Sequence, residues 1–97
     1  MYVLQIEHPI RDFETWKAAF DRFSDKRRHS GVRRHRIFRP ADDENYVVLD
    51  LEFESEGEAQ AYLVWLRREV WSSREASPAL AGGPQTRIAK VMKTQQY

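Results

Sequence analysis

Hydrophobic and polar residues alternate along four stretches of this chain, as they do in strands with one buried face. Two further stretches repeat apolar residues at intervals of three and four, which predicts helices. The predicted strands are Tyr2–His8, Val32–Arg39, Tyr46–Phe53 and Arg87–Lys93, and the predicted helices are Asp12–Phe23 and a segment that begins at Ser55.

The first helix carries an aromatic stripe, since Phe13, Trp16, Phe20 and Phe23 share one face. Such a stripe must be buried. The second helix opens on a capping box from Ser55 to Glu58, in which each residue binds the backbone N–H of the other. Its core face is predicted to hold Ala59, Tyr62, Leu63, Leu66 and Val70, which leaves Trp65 and Trp71 off the stripe.

The resulting order, βαββαβ, is that of the ferredoxin-like α+β fold, with an antiparallel four-stranded sheet and both helices on one face. Residues 1–97 contain no linker or repeat, so they form a single domain. Ser77-Pro78 could start a short helical turn, and Gly82-Gly83-Pro84 ends it before the last strand.

One sheet face has no helix to cover it. It mixes apolar side chains with charged ones, which is typical of a subunit interface rather than of a fully solvated surface. We therefore expect a homodimer packed through the open sheet face. The predicted apolar members are Val3, Ile37, Tyr46, Val48, Ala89 and Val91.

Composition narrows the functional classes. The 11.5 kDa chain is 41% hydrophobic and 32% charged, which is typical of a globular protein. It has no cysteine and no apolar run of membrane-spanning length, so we expect a cytoplasmic protein without disulfides or a membrane partner. Its three histidines lack metal-ligand spacing, so no metal is predicted.

Charge is segregated along the chain although the net charge is only +1. Residues 26–39 carry seven basic residues and no acid, whereas residues 40–69 carry nine acids and two arginines. The two blocks are expected to face each other or a partner. Nucleic acid is not the expected partner, because the open face offers one aromatic residue among acids that would repel phosphate.

A hairpin with its loop at residues 40–45 would place Arg39 opposite Tyr46. His35 would then face Asp50, either as a base with its orienting carboxylate or as an ion pair in the dimer interface. Arg34 and Arg36 would lie on the helix-facing side, where they would bind an anionic ligand or extend to water from an edge strand. A one-residue slip would swap these faces.

His8 is the main catalytic candidate. It shares a strand face with Leu4 and Ile6, and it precedes the aromatic helix. It is either a general base at the mouth of a pocket or a partly buried histidine that orders a loop. The aromatic residues beside His8 either line a cavity that binds a ligand or simply form part of the hydrophobic core. The aromatic residues concerned are Trp16, Phe20, Phe23, Tyr62 and Trp65.

Several short motifs resemble the small dimeric α+β barrel proteins of the antibiotic biosynthesis monooxygenase superfamily. The clearest is His8-Pro9-Ile10-Arg11-Asp12-Phe13-Glu14-Thr15-Trp16-Lys17, followed by Phe20-Asp21. Phe38-Arg39-Pro40-Ala41-Asp42-Asp43, the acidic start of the second helix and Gly83-Pro84 continue it over nearly the whole chain.

The resemblance implies a homodimer with a small-molecule pocket between sheet and helices. The family contains cofactor-independent monooxygenases, isomerases and cyclases, and also haem-degrading enzymes that use a histidine in the second helix; residues 55–73 contain none. The expected function is a reaction on an aromatic or conjugated substrate without a cofactor. In that reaction His8 is the base, Trp16, Phe20 and Trp65 contact the substrate rings, and Arg34 or Arg36 holds an anion. The alternative is a non-catalytic ligand-binding or stress-associated dimer.

Overall fold

The computed structural model describes all 97 residues. No helix in it combines the length and the apolar character needed to cross a bilayer. The elements are β1 (Tyr2–Pro9), α1 (Phe13–Asp21), α2 (Ser24–His29), β2 (Arg34–Phe38), β3 (Tyr46–Phe53), α3 (Glu56–Trp65), a π-helical turn (Leu66–Val70) and β4 (Gln85–Lys90).

The four strands form one antiparallel sheet in the order β2-β3-β1-β4, which confirms the ferredoxin-like fold. Burial alternates along the two central strands, because one face meets the helices and the other does not. The helix-facing side contributes the most deeply buried side chains of the core: Leu4, Ile6, Val47, Leu51 and Phe53.

The predicted register of β2 against β3 is wrong by one residue. Arg34 lies opposite Glu52, Arg36 opposite Asp50 and Ile37 opposite Leu49. The observed register buries part of Ile37 against the core and leaves both guanidiniums on the open face. It is favoured because the predicted register would place two charged groups in the core and turn the apolar Ile37 outward.

The basic and acidic blocks do face each other, as their charges predict. Three cross-strand ion pairs join them. The nitrogen-to-oxygen distances are 2.6 Å for Arg33–Glu54, 2.5 Å for Arg34–Glu52 and 3.3 Å for Arg36–Asp50.

The first predicted helix, Asp12–Phe23, is observed as α1, and a further helix that was not predicted follows it. Asp12 caps α1 by accepting a 2.8 Å hydrogen bond from the Thr15 backbone N–H. The helix ends at Asp21, and α2 then occupies the segment predicted as a polar connection. α2 is short and basic, and its one buried residue is Arg27.

The end of α3 differs from an ordinary α-helix. Ser55 caps its start as predicted, with Oγ 3.1 Å from the Glu58 backbone nitrogen. The reciprocal bond to the Ser55 backbone N–H is not made, because the Glu58 carboxylate instead accepts a 3.3 Å hydrogen bond from the Ser55 hydroxyl. After Trp65 the helix widens into the π-helical turn, closed by a 2.8 Å bond from the Trp71 N–H to the Leu66 carbonyl. Beyond it, Ser77-Pro78 forms a turn and not a helix, and β4 starts two residues earlier than predicted.

Gly31, which follows α2, should accept a side chain only with backbone strain. Its φ is +96°, and an added Cβ would lie 2.5 Å from a carboxylate oxygen of Glu58. We expect Gly31→Ala to lower the free energy of unfolding by about 1–2 kcal/mol, the cost of a left-handed conformation for a residue with a Cβ.

Urea denaturation would measure this effect, with Gly57→Ala as the matched control. Gly57 lies in the first turn of α3, and an added Cβ there meets nothing within 4 Å. Gly57→Ala should therefore raise stability by about 0.5–1 kcal/mol. Equal effects at the two positions would contradict this account.

Candidate functional site

A largely apolar cavity lies between the helix-facing side of the sheet and the helices. The volume open to the centre of a water molecule is about 50 Å³. One water needs roughly 10–15 Å³ by this measure, so the cavity has room for several waters or one small ring. Its lining residues are Ile6, His8, Trp16, Ala19, Phe20, Phe23, Arg27, Leu49, Leu51, Tyr62, Leu66, Val70, Trp71 and Ala76–Leu80.

His8 lies in this cavity, near the end of β1, and is 2% exposed. Its Nδ1 is 3.0 Å from the Pro9 carbonyl oxygen. Because a carbonyl only accepts hydrogen bonds, Nδ1 carries the proton and Nε2 carries the lone pair of the neutral ring.

The Nε2 of His8 makes no hydrogen bond to the protein. No side-chain nitrogen or oxygen of the molecule is both fully enclosed and without a partner, so Nε2 is within reach of water or a small ligand. Burial lowers the pKa of His8 below its ordinary value of 6.5, and the bond to Pro9 opposes this only in part. The ring is therefore neutral at pH 7 and can accept a proton at Nε2.

Trp16 and Phe20 both line the cavity, on the α1 side. Their rings stack with a centroid distance of 5.0 Å and an interplanar angle of 22°. The Trp16 centroid is also 6.4 Å from that of His8. The aromatic stripe thus joins the candidate base to an apolar wall suited to an aromatic ligand.

Trp65 does not line the cavity. It packs at the edge of the core against Phe23 and Tyr62, with centroid distances of 5.3 and 5.4 Å, and Lys26 Nζ lies 5.1 Å from its ring. The prediction that it contacts a cavity ligand is therefore not supported by its position.

Trp71 takes the place predicted for Trp65. The π-helical turn brings residues five apart in the chain, Leu66 and Trp71, to the same side, and both line the cavity. An α-helix would align Leu66 with residues three and four further on instead. Single π-turns of this kind recur at functional sites.

Arg34 and Arg36 are also outside the cavity, which corrects their predicted placement. Both are exposed on the open face, where they pair with Glu52 and Asp50. The proposed pair of His35 with Asp50 is wrong for the same reason, since His35 lies opposite Leu51. The His35 ring instead meets the edge of Phe20, at a centroid distance of 5.2 Å.

Arg27 is the charged residue that the cavity does contain, and the sequence analysis did not single it out. It extends the aromatic stripe by one more helical step, four residues after Phe23, and its N–H bonds the Phe23 carbonyl at 3.0 Å. Tyr62 lines the cavity from α3; burial raises its pKa, and the charge and hydrogen bonding of Arg27 oppose that rise.

The loop at residues 76–80 also lines the cavity. It is held by backbone bonds, including one from the Arg11 N–H to the Ala79 carbonyl at 2.9 Å. The Ser77 hydroxyl also bonds the Val70 carbonyl at 2.8 Å, which ties the loop to the π-helical turn. No three His, Asp or Glu side chains lie close enough together to share a metal ion.

Burial of His8 should make stability depend on pH. Its pKa is lower in the folded protein than the unfolded value of about 6.5, so the unfolded chain binds the proton first as pH falls. This contribution to the free energy of unfolding is complete above pH 6.5 and is lost as pH decreases below it. The pKa of His35 is also lowered, first by burial and then by the positive charge of Arg27.

Urea unfolding at pH 7.5 and pH 5 would measure this dependence. His8→Gln should lose less stability between the two pH values than the wild type does. His29, exposed on α2, gives the control His29→Gln, which should behave as the wild type. An unchanged pH dependence in His8→Gln would contradict the assignment.

Comparison with solved structures gives the same architecture over nearly the whole chain. A candidate antibiotic biosynthesis monooxygenase from Nitrosomonas europaea is 21% identical, with a TM-score of 0.68, over 96% of this chain and 100% of that one. SnoaB, a cofactor-independent oxygenase from Streptomyces nogalater, is 15% identical with a TM-score of 0.71, over 96% of this chain and 94% of that one. This chain shares the ferredoxin-like α+β fold of these two proteins.

A third similar structure is a dimeric ferredoxin-like protein from an uncultured marine organism, 9% identical with a TM-score of 0.66, over 97% of both chains. The resemblance found in the sequence is thus confirmed at the level of the fold. No protein-family model matches the sequence. No curated protein matches it either.

Proposed function

We propose that this protein is a cytoplasmic homodimer that removes a proton from a small aromatic or conjugated molecule, without a cofactor, with His8 as the general base. The observation that carries the proposal is the free Nε2 of a neutral histidine in an aromatic cavity. A base of this kind accelerates proton transfer by about 10²- to 10⁴-fold.

The reaction begins when Nε2 takes a proton from an activated C–H group. The proton on Nδ1 stays on that nitrogen and is donated in a hydrogen bond to the Pro9 carbonyl oxygen, which stabilises the imidazolium that forms. The carbanion is then reprotonated at another carbon in an isomerase or attacks a carbonyl in a cyclase. In an oxygenase the substrate supplies the electrons that reduce dioxygen, one oxygen atom bonds to carbon and the other leaves as water.

One of the comparisons supports this choice of reaction class. SnoaB is described as an oxygenase that needs no cofactor, and it shares the fold at a TM-score of 0.71. Fold alone does not select a chemistry, so the weight of the proposal rests on His8 and its surroundings.

The homodimer is proposed from the open sheet face. Half-buried apolar residues there, including Val3 and Val48, lie among paired charges and are covered by no element of the chain. Phe38, which is opposite Val48, is 41% exposed. Similar structures are described as dimeric ferredoxin-like proteins, which supports a homodimer.

Deuterium exchange tests the catalytic proposal without knowledge of the natural substrate. Phenylacetone is a neutral, one-ring ketone whose benzylic protons are activated. We expect the protein in D₂O to accelerate the loss of the benzylic signal in proton NMR spectra, relative to free imidazole at the same concentration.

A rate no greater than that of imidazole would contradict the assignment of His8 as a catalytic base. If the protein then still binds one-ring compounds, the non-catalytic ligand-binding dimer becomes the better description. Binding and exchange are therefore measured on the same preparation.

A further inference from the structure

Arg27 is buried to an unusual degree for a charged residue. It is 5% exposed and, with His8, one of two buried polar residues in the protein. Its guanidinium carbon lies 3.7 Å from the centre of the Phe20 ring. One of its terminal nitrogens, Nη1, donates a 2.8 Å hydrogen bond to the Phe20 carbonyl.

No carboxylate neutralises this guanidinium. None of the five ion pairs of the structure includes Arg27. The acidic residues nearest to Arg27 in the chain form ion pairs with other residues: Asp25 with Arg28, and Asp21 with Lys17. A buried charge without a counter-charge is costly, and such groups are normally paired.

Arg27 has hydrogen-bond donors that the protein leaves unused. A guanidinium has five N–H donors, and the Phe20 carbonyl and the contact with Tyr62 occupy only part of them. No side-chain nitrogen is both fully enclosed and unpaired, and Arg27 lines the cavity, so its remaining N–H groups are within reach of water or of a ligand there.

We propose that Arg27 is the anion-binding residue of this cavity and that the ligand is a small aromatic molecule with one anionic oxygen group, a carboxylate or an enolate. The rings of Trp16 and Phe20 provide the apolar surface, and the guanidinium supplies charge-assisted hydrogen bonds to the oxygen. Stacking on Phe20 holds its plane in place before the ligand arrives.

The inference rests on the proposed function because both use the same cavity. It assigns to Arg27 the anion-holding role expected for Arg34 or Arg36, which are on the opposite face of the sheet. In turnover, Arg27 would also stabilise the enolate that forms when His8 removes a proton.

Benzoate and benzamide form a matched pair of probes, since they share shape and size and differ in charge. We expect the wild-type protein to bind benzoate at least about 10-fold more tightly than benzamide, in NMR titrations of the backbone amides, as charge-assisted hydrogen bonds predict. The largest shifts should fall on residues that line the cavity. Equal affinity for the two probes, or no binding of either at cavity residues, would overturn the inference.

Two variants of Arg27 separate charge from shape. Arg27→Gln should reduce the ratio of the two affinities to about 1, whereas Arg27→Lys keeps the charge and should retain part of the preference. Arg28→Gln is the control, because Arg28 is exposed and paired with Asp25, and its ratio should equal that of the wild type. A wild-type ratio in Arg27→Gln would also overturn the inference.

Circular dichroism establishes that each variant is folded. If Arg27→Gln does not fold, the wild type is compared with Arg27→Lys instead, and an unchanged affinity ratio in the lysine variant counts against a site formed by the guanidinium. The phenylacetone assay uses a neutral probe, so its failure would remove His8 as a base without changing the ratio of benzoate to benzamide binding.

Discussion

His8→Gln should slow the protein-catalysed exchange of the benzylic protons of phenylacetone by about 10²- to 10⁴-fold, to near the rate of buffer. Glutamine is similar in size and its amide can still donate to the Pro9 carbonyl, but it has no nitrogen that accepts a proton. The loss should therefore be one of rate, while benzoate still binds the cavity through Arg27. Proton NMR in D₂O measures the exchange.

The control for this substitution is His29→Gln. His29 is exposed, and its Nδ1 bonds the Asp25 carbonyl at 2.9 Å within α2, away from the cavity lining. The His29→Gln protein should exchange the benzylic protons of phenylacetone at the wild-type rate. Because burial lowers the pKa of His8, the wild-type rate should hold to a pH below 6.5 before it falls. Undiminished exchange in His8→Gln would reject the residue as the base.

Val48→Lys should convert the proposed dimer into a monomer. Val48 lies on the open face between Phe38 and Glu7, near Asp50. In a monomer the new ammonium group would be solvated beside Glu7 and Asp50. In a sheet-to-sheet dimer it would be buried, at a cost of a few kcal/mol, so dimer dissociation should be favoured about 100-fold or more.

Sedimentation equilibrium distinguishes the two states, since each chain has a mass of 11.5 kDa and the wild type should show twice that value. Val64→Lys is the matched control. Val64 is 46% exposed on α3, away from the sheet's open face, so this variant should remain a dimer. A wild-type protein that sediments as one chain, or a dimeric Val48→Lys, would contradict the proposed interface.

The candidate site could be predicted only in part, and the reason differs between residues. His8, Trp16 and Phe20 were found because strand alternation and helical spacing determine their faces directly. Arg34 and Arg36 were misplaced because a hairpin register depends on a loop whose geometry is not encoded in a two-residue periodicity. Trp65 was predicted to line the cavity, but Trp71 lines it instead. The reason is that the π-helical turn after α3 changes which of the following residues face the cavity.

Arg27 shows the limit of pattern-based prediction most clearly. In the sequence it belongs to a basic run, which is normally solvated. In the fold α2 packs its Phe23 and Arg27 side inward, so that a charge enters the core beside Phe20. The position of Arg27, four residues after Phe23, continues the spacing of the aromatic stripe and so indicates a buried side chain. Its charge indicates an exposed one.

The sequence by itself determined the order of strands and helices, the buried faces of β1, β3 and α1, and the two helix caps. These follow from local periodicity and from hydrogen bonds between residues three apart. The tertiary structure alone decided the register of β2, the inward turn of Arg27 and the presence of a cavity between the sheet and the helices. These features depend on how elements distant in the chain pack together, where a shift of one residue exchanges a core position for an exposed one.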